Sequence, residues 1–149
     1  MRSTSSSTDA PRWQYPENAI IKTAEDIQAA VESGVREGVD GLFLTSASMF
    51  GVERVRITGL AARHRLPAIY PLASHVIDAG GLMAYQFDEP ALHKSASIYV
   101  DKILKGAKPS DLPIQQPSKF KFLINLKTAK ILGLVVPPSV IARADEVVE

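Results

Sequence analysis

From residue 23 onward the hydrophobic positions alternate between two patterns, stripes at helical spacing and short continuous runs. Thr23 opens the first stripe. It has the form of an N-cap, and Asp26 supplies an acidic version of the reciprocal capping partner. Ile27, Val31 and Val35 recur at i, i+4 and i+8, which predicts a helix over about 24–37, ended by Gly38. "DGLFLT" is a run of strand length, and "SASMFG" reads as a loop. Residues 53–64 read as a helix with Val55, Leu60 and Ala61 as its apolar positions. "LPAIYP" is the next strand, "SHVIDAGG" a turn of helix closed by two glycines, and "LMAY" a third strand.

Apolar strand runs separated by amphipathic helices predict an α/β fold, a parallel sheet flanked by helices. Such sheets bind their ligands at the C-terminal ends of the strands. After Tyr85 the texture changes. "EPALHKSASIYVDKILKG" is one long helix, with Pro90 in its first turn and Leu92, Ala96, Tyr99 and Ile103 as its buried stripe. "AKPSDLPIQQPSKF" carries three prolines and predicts an extended connection. The strand "KFLIN", the helix "LKTAKILG", a double proline and one more helix complete the chain.

Composition narrows the function classes. The chain has 149 residues, one ordinary domain, and is 46% hydrophobic and 22% charged, which is a globular balance. Net charge is +1 with no basic block, so nucleic acid is not an expected partner. There is no cysteine, which removes disulfides, thiolate nucleophiles and cysteine-based zinc sites. Residues 1–22 lack a period and read as a flexible leader. They show neither the basic start nor the apolar run of a secretory signal. Read as a complete chain, the sequence therefore predicts a cytoplasmic location.

The segment "VDKILKGAKPSDLPIQQPSKFKFLINLKTAKILGLVVPPSVIARADEVVE" resembles the C-terminus of ABC-transporter substrate-binding proteins of the tryptophan/tyrosine-binding type. "LAARHRLPAIY" and "AGGLMAY" resemble the same family at the same spacing, so the resemblance covers about residues 24–149. It implies an exported, periplasmic, two-lobed binding protein with a type I periplasmic-binding fold, whose chain crosses the hinge between lobes three times. On that pattern residues 23–85 belong to the C-terminal lobe and the helix at 89–105 to the N-terminal lobe. Residues 120–149 supply the last crossover strand and the C-terminal helices. The first lobe's core has no counterpart here, so the resemblance implies a partial fold, mainly the C-terminal lobe. At the hinge the family pattern is Tyr-Gly, and this chain has Tyr85-Gln86.

Candidate ligand-binding residues follow from the strand ends. Thr45, Ser46 and Ala47, with Ser48, follow the first strand and offer hydroxyls and backbone N–H groups; the plain alternative is a connecting loop. The resemblance implies that this loop lines the cleft. Phe50 is either an apolar wall or core. Tyr70 ends the second strand and Ser74 opens the next short helix, where each is either a ligand edge or, respectively, packing and a cap. Tyr85 ends the third strand, and Asp88 reads as a helix cap. His64, His75 and His93 have no metal-like spacing. No nucleophile elbow, phosphate loop or dinucleotide fingerprint occurs, so neither catalysis nor a cofactor is expected. The expected function is non-covalent binding of a small polar organic ligand such as an amino acid, for an ABC-transporter permease. A cytoplasmic sensing or interaction module built on the same fold, or a remnant without function, are the alternatives. The apolar stripe at 89–105 further predicts self-association or pairing with a separately encoded first lobe.

Overall fold

The computed structural model describes residues 21–149. The leader predicted at 1–22 lies almost wholly outside that range. The chain divides into two compact units, residues 1–39 and 40–149.

The described part of the first unit is a single helix, α1 (Ala24–Arg36). Its start is the predicted capping box. Thr23 Oγ1 accepts the Asp26 N–H at 3.3 Å, and Asp26 Oδ2 accepts the N–H groups of Thr23 at 2.7 Å and Lys22 at 2.8 Å. Those bonds, Lys22's first, hold the Asp26 carboxyl below its ordinary pKa. Ile27, Val31 and Gly34 are buried. Gly38 ends the helix at φ 79°, a left-handed conformation that costs glycine little.

The second unit is built on a mixed, mostly parallel five-stranded sheet. Its strands are β1 (Leu42–Phe43), β2 (Ala68–Tyr70), β3 (Met83–Phe87), β4 (Phe120–Asn125) and β5 (Glu146–Val148), in spatial order β1-β2-β3-β4-β5. β1, β2 and β3 run parallel, β4 runs antiparallel to β3, and β5 is parallel to β4. The three predicted strands are therefore the three parallel ones. Between them lie α2 (Ser48–Val52), α3 (Arg54–Arg63) and α4 (Ala73–Ile77). The core gathers Ile57, Leu60 and Ala61 of α3, Val76 of α4, Ala84 of β3, and Leu123 and Ile124 of β4.

Several local expectations are corrected. "SASMFG" is largely helical: α2 starts at Ser48, so only Thr45–Ala47 is left as loop. On α3 the inward positions are Ile57, Leu60 and Ala61, while Val55 is 66% exposed. Val55 is two residues from Ile57, and on a helix such a pair points to different sides. The expected helix after the double proline is a single turn, and the chain continues past it into a strand. α6 (Leu126–Ile131) and the single turn α7 (Pro138–Ile141) are followed by β5. Asp145 fixes that strand: its N–H donates to the Phe122 carbonyl at 2.8 Å and its Oδ2 accepts the Phe122 N–H at 2.8 Å. The paired valines Val147 and Val148 then suit the pleated ladder better than another helical turn.

Between β3 and β4 the chain makes a long excursion, residues 88–119. It holds α5 (Glu89–Leu104), capped by Asp88 Oδ1 accepting the Ala91 N–H at 3.3 Å, and a short 3₁₀ turn at Pro109–Asp111. The predicted long helix and its acidic cap are present. The predicted burial of its stripe is not, for α5 has no buried residue.

Candidate functional site

Because β1, β2 and β3 are parallel, their C-terminal ends open on one edge of the sheet. The backbone stays extended one residue past β1, where the Leu44 N–H donates to the Ile69 carbonyl at 3.1 Å. Thr45, Ser46 and Ala47 then leave the sheet exposed and lead into α2. After β2, Pro71 and Leu72 turn the chain into α4, with Ser74 half-buried in its first turn. The hydroxyls of Thr45, Ser46 and Ser74 make no hydrogen bond within the described residues, so they remain available to a ligand.

His75 ties these two segments together. It is fully buried, and its Nε2 lies 3.1 Å from the Phe50 carbonyl. A carbonyl only accepts, so Nε2 carries the proton and the buried Nδ1, which has no partner, carries the lone pair. Burial holds the imidazole below its ordinary pKa, against the Phe50 bond, which acts the other way. α2 is thus pinned to α4. Phe50 contributes by its backbone carbonyl, with a half-buried side chain.

Tyr70 lies under this rim. Its side chain is 2% exposed, and its ring stacks on His75 with centroids 5.0 Å apart and planes at 16°. Burial raises the phenol above its ordinary pKa. The ring also covers Gly81, where an added Cβ would stand 2.6 Å from Tyr70 Cε2 and 2.8 Å from the His75 carbonyl. The glycine pair after α4 therefore serves a close approach at Gly81 and a positive φ of 69° at Gly80.

Tyr85 reaches the same edge by another face. Ala84 and Gln86 point to the α4 side of β3, so Tyr85, like Phe87, points to the opposite side. It is 51% exposed and lies parallel to Phe120, with ring centroids 5.1 Å apart. The fold thus places Thr45, Ser46 and Ala47 after β1 and Ser74 after β2, the adjacent parallel strand, with the Tyr70 ring buried and Tyr85 on the other face of the sheet.

Gln86 is a position at this edge that the sequence reading did not select. Its Oε1 accepts the N–H of Ala73, the first residue of α4. Leu72, the N-cap, offers no side-chain bond, so β3 supplies the cap from a neighbouring strand. The signal for this was the departure Tyr85-Gln86 from the Tyr-Gly family pattern. Ser74, read as a possible cap, lies inside the helix instead.

Among the described residues no three or more histidine, aspartate or glutamate side chains gather as a metal site would require, and no helix is long and apolar enough to cross a membrane. The nearby ion pair, Arg54 Nε to Asp78 Oδ2 at 3.7 Å, is partly exposed and structural.

Comparison with known proteins bears on the family and the fold. No curated protein sequence matches the chain. Among solved structures, a conserved domain protein from Vibrio cholerae superposes with a TM-score of 0.72 at 24% identity, over 83% of this chain and 41% of its own. An ABC domain from Streptococcus pneumoniae in complex with L-Trp gives 0.71 at 26% identity, over 83% and 42%. A substrate-binding protein with adhesive properties from Clostridium difficile, in its ligand-free open form, gives 0.61 at 18% identity, over 86% and 42%. The chain thus spans less than half the length of each of these structures. The profile of ABC transporter substrate binding proteins matches residues 16–148, nearly the whole sequence, and the chain belongs to that family.

Proposed function

We propose that the chain supplies one wall of a solute-binding cleft, with the C-terminal edge of β1, β2 and β3 as the ligand-contacting surface. The ligand is a small polar organic molecule such as an amino acid. The observation that carries this reading is the pair of segments 45–47 and 72–74, which follow the C-terminal ends of the adjacent parallel strands β1 and β2 and carry the hydroxyls of Thr45, Ser46 and Ser74. The family is one of binding proteins and not of enzymes. The pneumococcal relative's complex with L-Trp supports an amino acid in particular. Recognition is by hydrogen bonding, with no bond made or broken. In this reading the loaded protein delivers its ligand to an ABC-transporter permease, in an exported, periplasmic setting.

Calorimetric titration with L-tryptophan and the other amino acids tests the proposal. A single exposed wall encloses a ligand on one side only, so binding weaker than micromolar is expected. Ser46→Ala and Ser74→Ala should each weaken it about fivefold, the worth of one neutral hydrogen bond, with the unfolding midpoint unchanged. Absence of heat with every amino acid at millimolar concentration would refute the solute-binding reading. Submicromolar binding by a monomer would refute the one-walled cleft.

A further inference from the structure

β3 outruns its neighbour at the candidate ligand edge. The last pair between β2 and β3 is Tyr70↔Ala84, so Gln86 stands two residues beyond it, beside the turn into α4. It shares a face of the sheet with Ala84, which clusters with Val76 of α4 and Leu123 of β4, with Ala73 packed against them. The direction of the Gln86 carboxamide is set there. A backbone N–H only donates, so the atom that meets the Ala73 N–H is Oε1. Nε2, at the other end of the same planar group, makes no hydrogen bond among the described residues and keeps two N–H donors free.

β4 brings a cation to the same place. Gln86 pairs with Lys121, just as Ala84 pairs with Leu123. Residues directly opposite on antiparallel strands share a face, with Cβ atoms about 4.5–5.5 Å apart. Lys121 is half-buried and joins no ion pair among the described residues. Two acids lie nearby on the β5 side, and neither closes a pair with it. Asp145 Oδ2 accepts the Phe122 N–H at 2.8 Å, and Glu146, opposite Leu123, is exposed. The strand-end segments 44–47, 71–74 and 84–87 contain no acidic residue. Together with Lys121 they offer amide, hydroxyl and ammonium donors and no carboxylate. A groove of about 670 Å³ between α5 and residues 115–119 includes neither Gln86 nor Lys121 and is a separate feature.

We propose that Gln86 and Lys121 are the specificity-determining pair of this cleft wall and take the carboxylate of the ligand, Gln86 through an Nε2 N–H and Lys121 through its charge. The inference rests on the solute-binding reading and names the group of the ligand that faces the wall. An amino acid lies with its carboxylate toward β3 and β4 and its ammonium group turned away. The reverse orientation sets an ammonium beside Lys121 with no acidic side chain in the strand-end segments to offset the repulsion. A carboxylate suits both partners. The Gln86 donor is already aimed by the Ala73 N–H, so little ordering is left to do on binding, and the flexible lysine stem lets its charge follow.

The test titrates three probes into the ¹⁵N-labelled chain: L-tryptophan, tryptamine, which lacks the carboxylate, and indole-3-propionate, which lacks the ammonium group. The side-chain NH₂ resonances of Gln86, assigned by their absence from Gln86→Glu, are the direct readout. L-tryptophan and indole-3-propionate should shift them saturably, with affinities within about threefold of each other, and tryptamine should bind about tenfold more weakly or not at all. Gln86→Glu keeps an acceptor for Ala73 and puts a carboxylate where the donors were. It should weaken both acids about tenfold or more, with the unfolding midpoint within about 2 °C of the parent chain. Lys121→Gln should weaken them about threefold, the effect of one half-exposed charge. The analogue series uses the unaltered chain, so it decides the matter even where Gln86→Glu is less stable. Tryptamine binding as tightly as L-tryptophan, or acid binding unchanged in Gln86→Glu, would overturn the proposal. Shifts at residues 45–48 and 72–74 with the Gln86 side chain unmoved would overturn it and leave the solute-binding reading standing. No shift with L-tryptophan would also overturn it, and no shift with any amino acid would remove the solute-binding reading as well.

Discussion

His75 ties more of the candidate site together than its neighbours do, although it is buried away from solvent. It is fully buried, joins α4 to α2 through the Phe50 carbonyl, and forms a stacked pair with Tyr70. Its folded pKa lies below the ordinary value of about 6.5, because burial disfavours the charged ring. Below that pH the unfolded chain takes up the proton before the folded one does. The stabilisation is therefore complete above about pH 6.5 and is lost as pH falls from there toward the folded value. Thermal unfolding should accordingly show a lower midpoint at pH 5.5 than at pH 7.5, and His75→Gln, which keeps an N–H for Phe50, should flatten that dependence. An equal slope in the variant would remove His75 as its source. At this scale the sequence was ambiguous in an instructive way. Tyr70 was readable as ligand edge or as packing, since a strand end satisfies both descriptions. What decides it is Gly81, eleven positions on, whose missing Cβ makes room for the ring.

At the level of elements, the legible parts were those whose signal is local. The Thr23–Asp26 box, the Asp88 cap, the three parallel strands and the Gly38 stop each follow from residues within one turn or one run. α2 and β5 were not legible because their causes are distant. α2 depends on the His75–Phe50 bond 25 positions away, and β5 on Asp145 meeting Phe122 23 positions away. The same holds for Gln86, whose bond to Ala73 spans 13 positions and ties the β2–α4 turn to β3. Gln86→Leu would leave the Ala73 N–H without its acceptor and cost about 1–2 kcal/mol. Gln86→Glu keeps an acceptor at the start of a helix, where negative charge is favoured, and should be close to neutral. The comparison is made by urea unfolding of both variants. Equal losses would show that the cap is not what Gln86 contributes.

On the scale of the whole molecule, the family was legible because several modest motifs occur in one fixed order, and order across a chain is more informative than any single motif. The missing burial of α5 was legible only in part. The stripe Leu92, Ala96, Tyr99 and Ile103 is plain in the sequence, but its exposure depends on what the chain has to set against it. Each large side chain left in water forgoes about 1.5–3 kcal/mol, against a total domain stability of about 5–15 kcal/mol. No residue of the excursion 88–119 belongs to the buried core, so the sheet builds its core without it. The most direct measurement of the central claim is a ¹H–¹⁵N correlation spectrum of the labelled chain titrated with L-tryptophan and with the other amino acids. It reports where a weak ligand sits as well as whether it binds. The account predicts saturable shifts, at millimolar ligand or below, that cluster at residues 45–48 and 72–74 and at Gln86. Shifts centred on the α5 groove at residues 91–99 and 115–119, or no shifts with any amino acid, would contradict it.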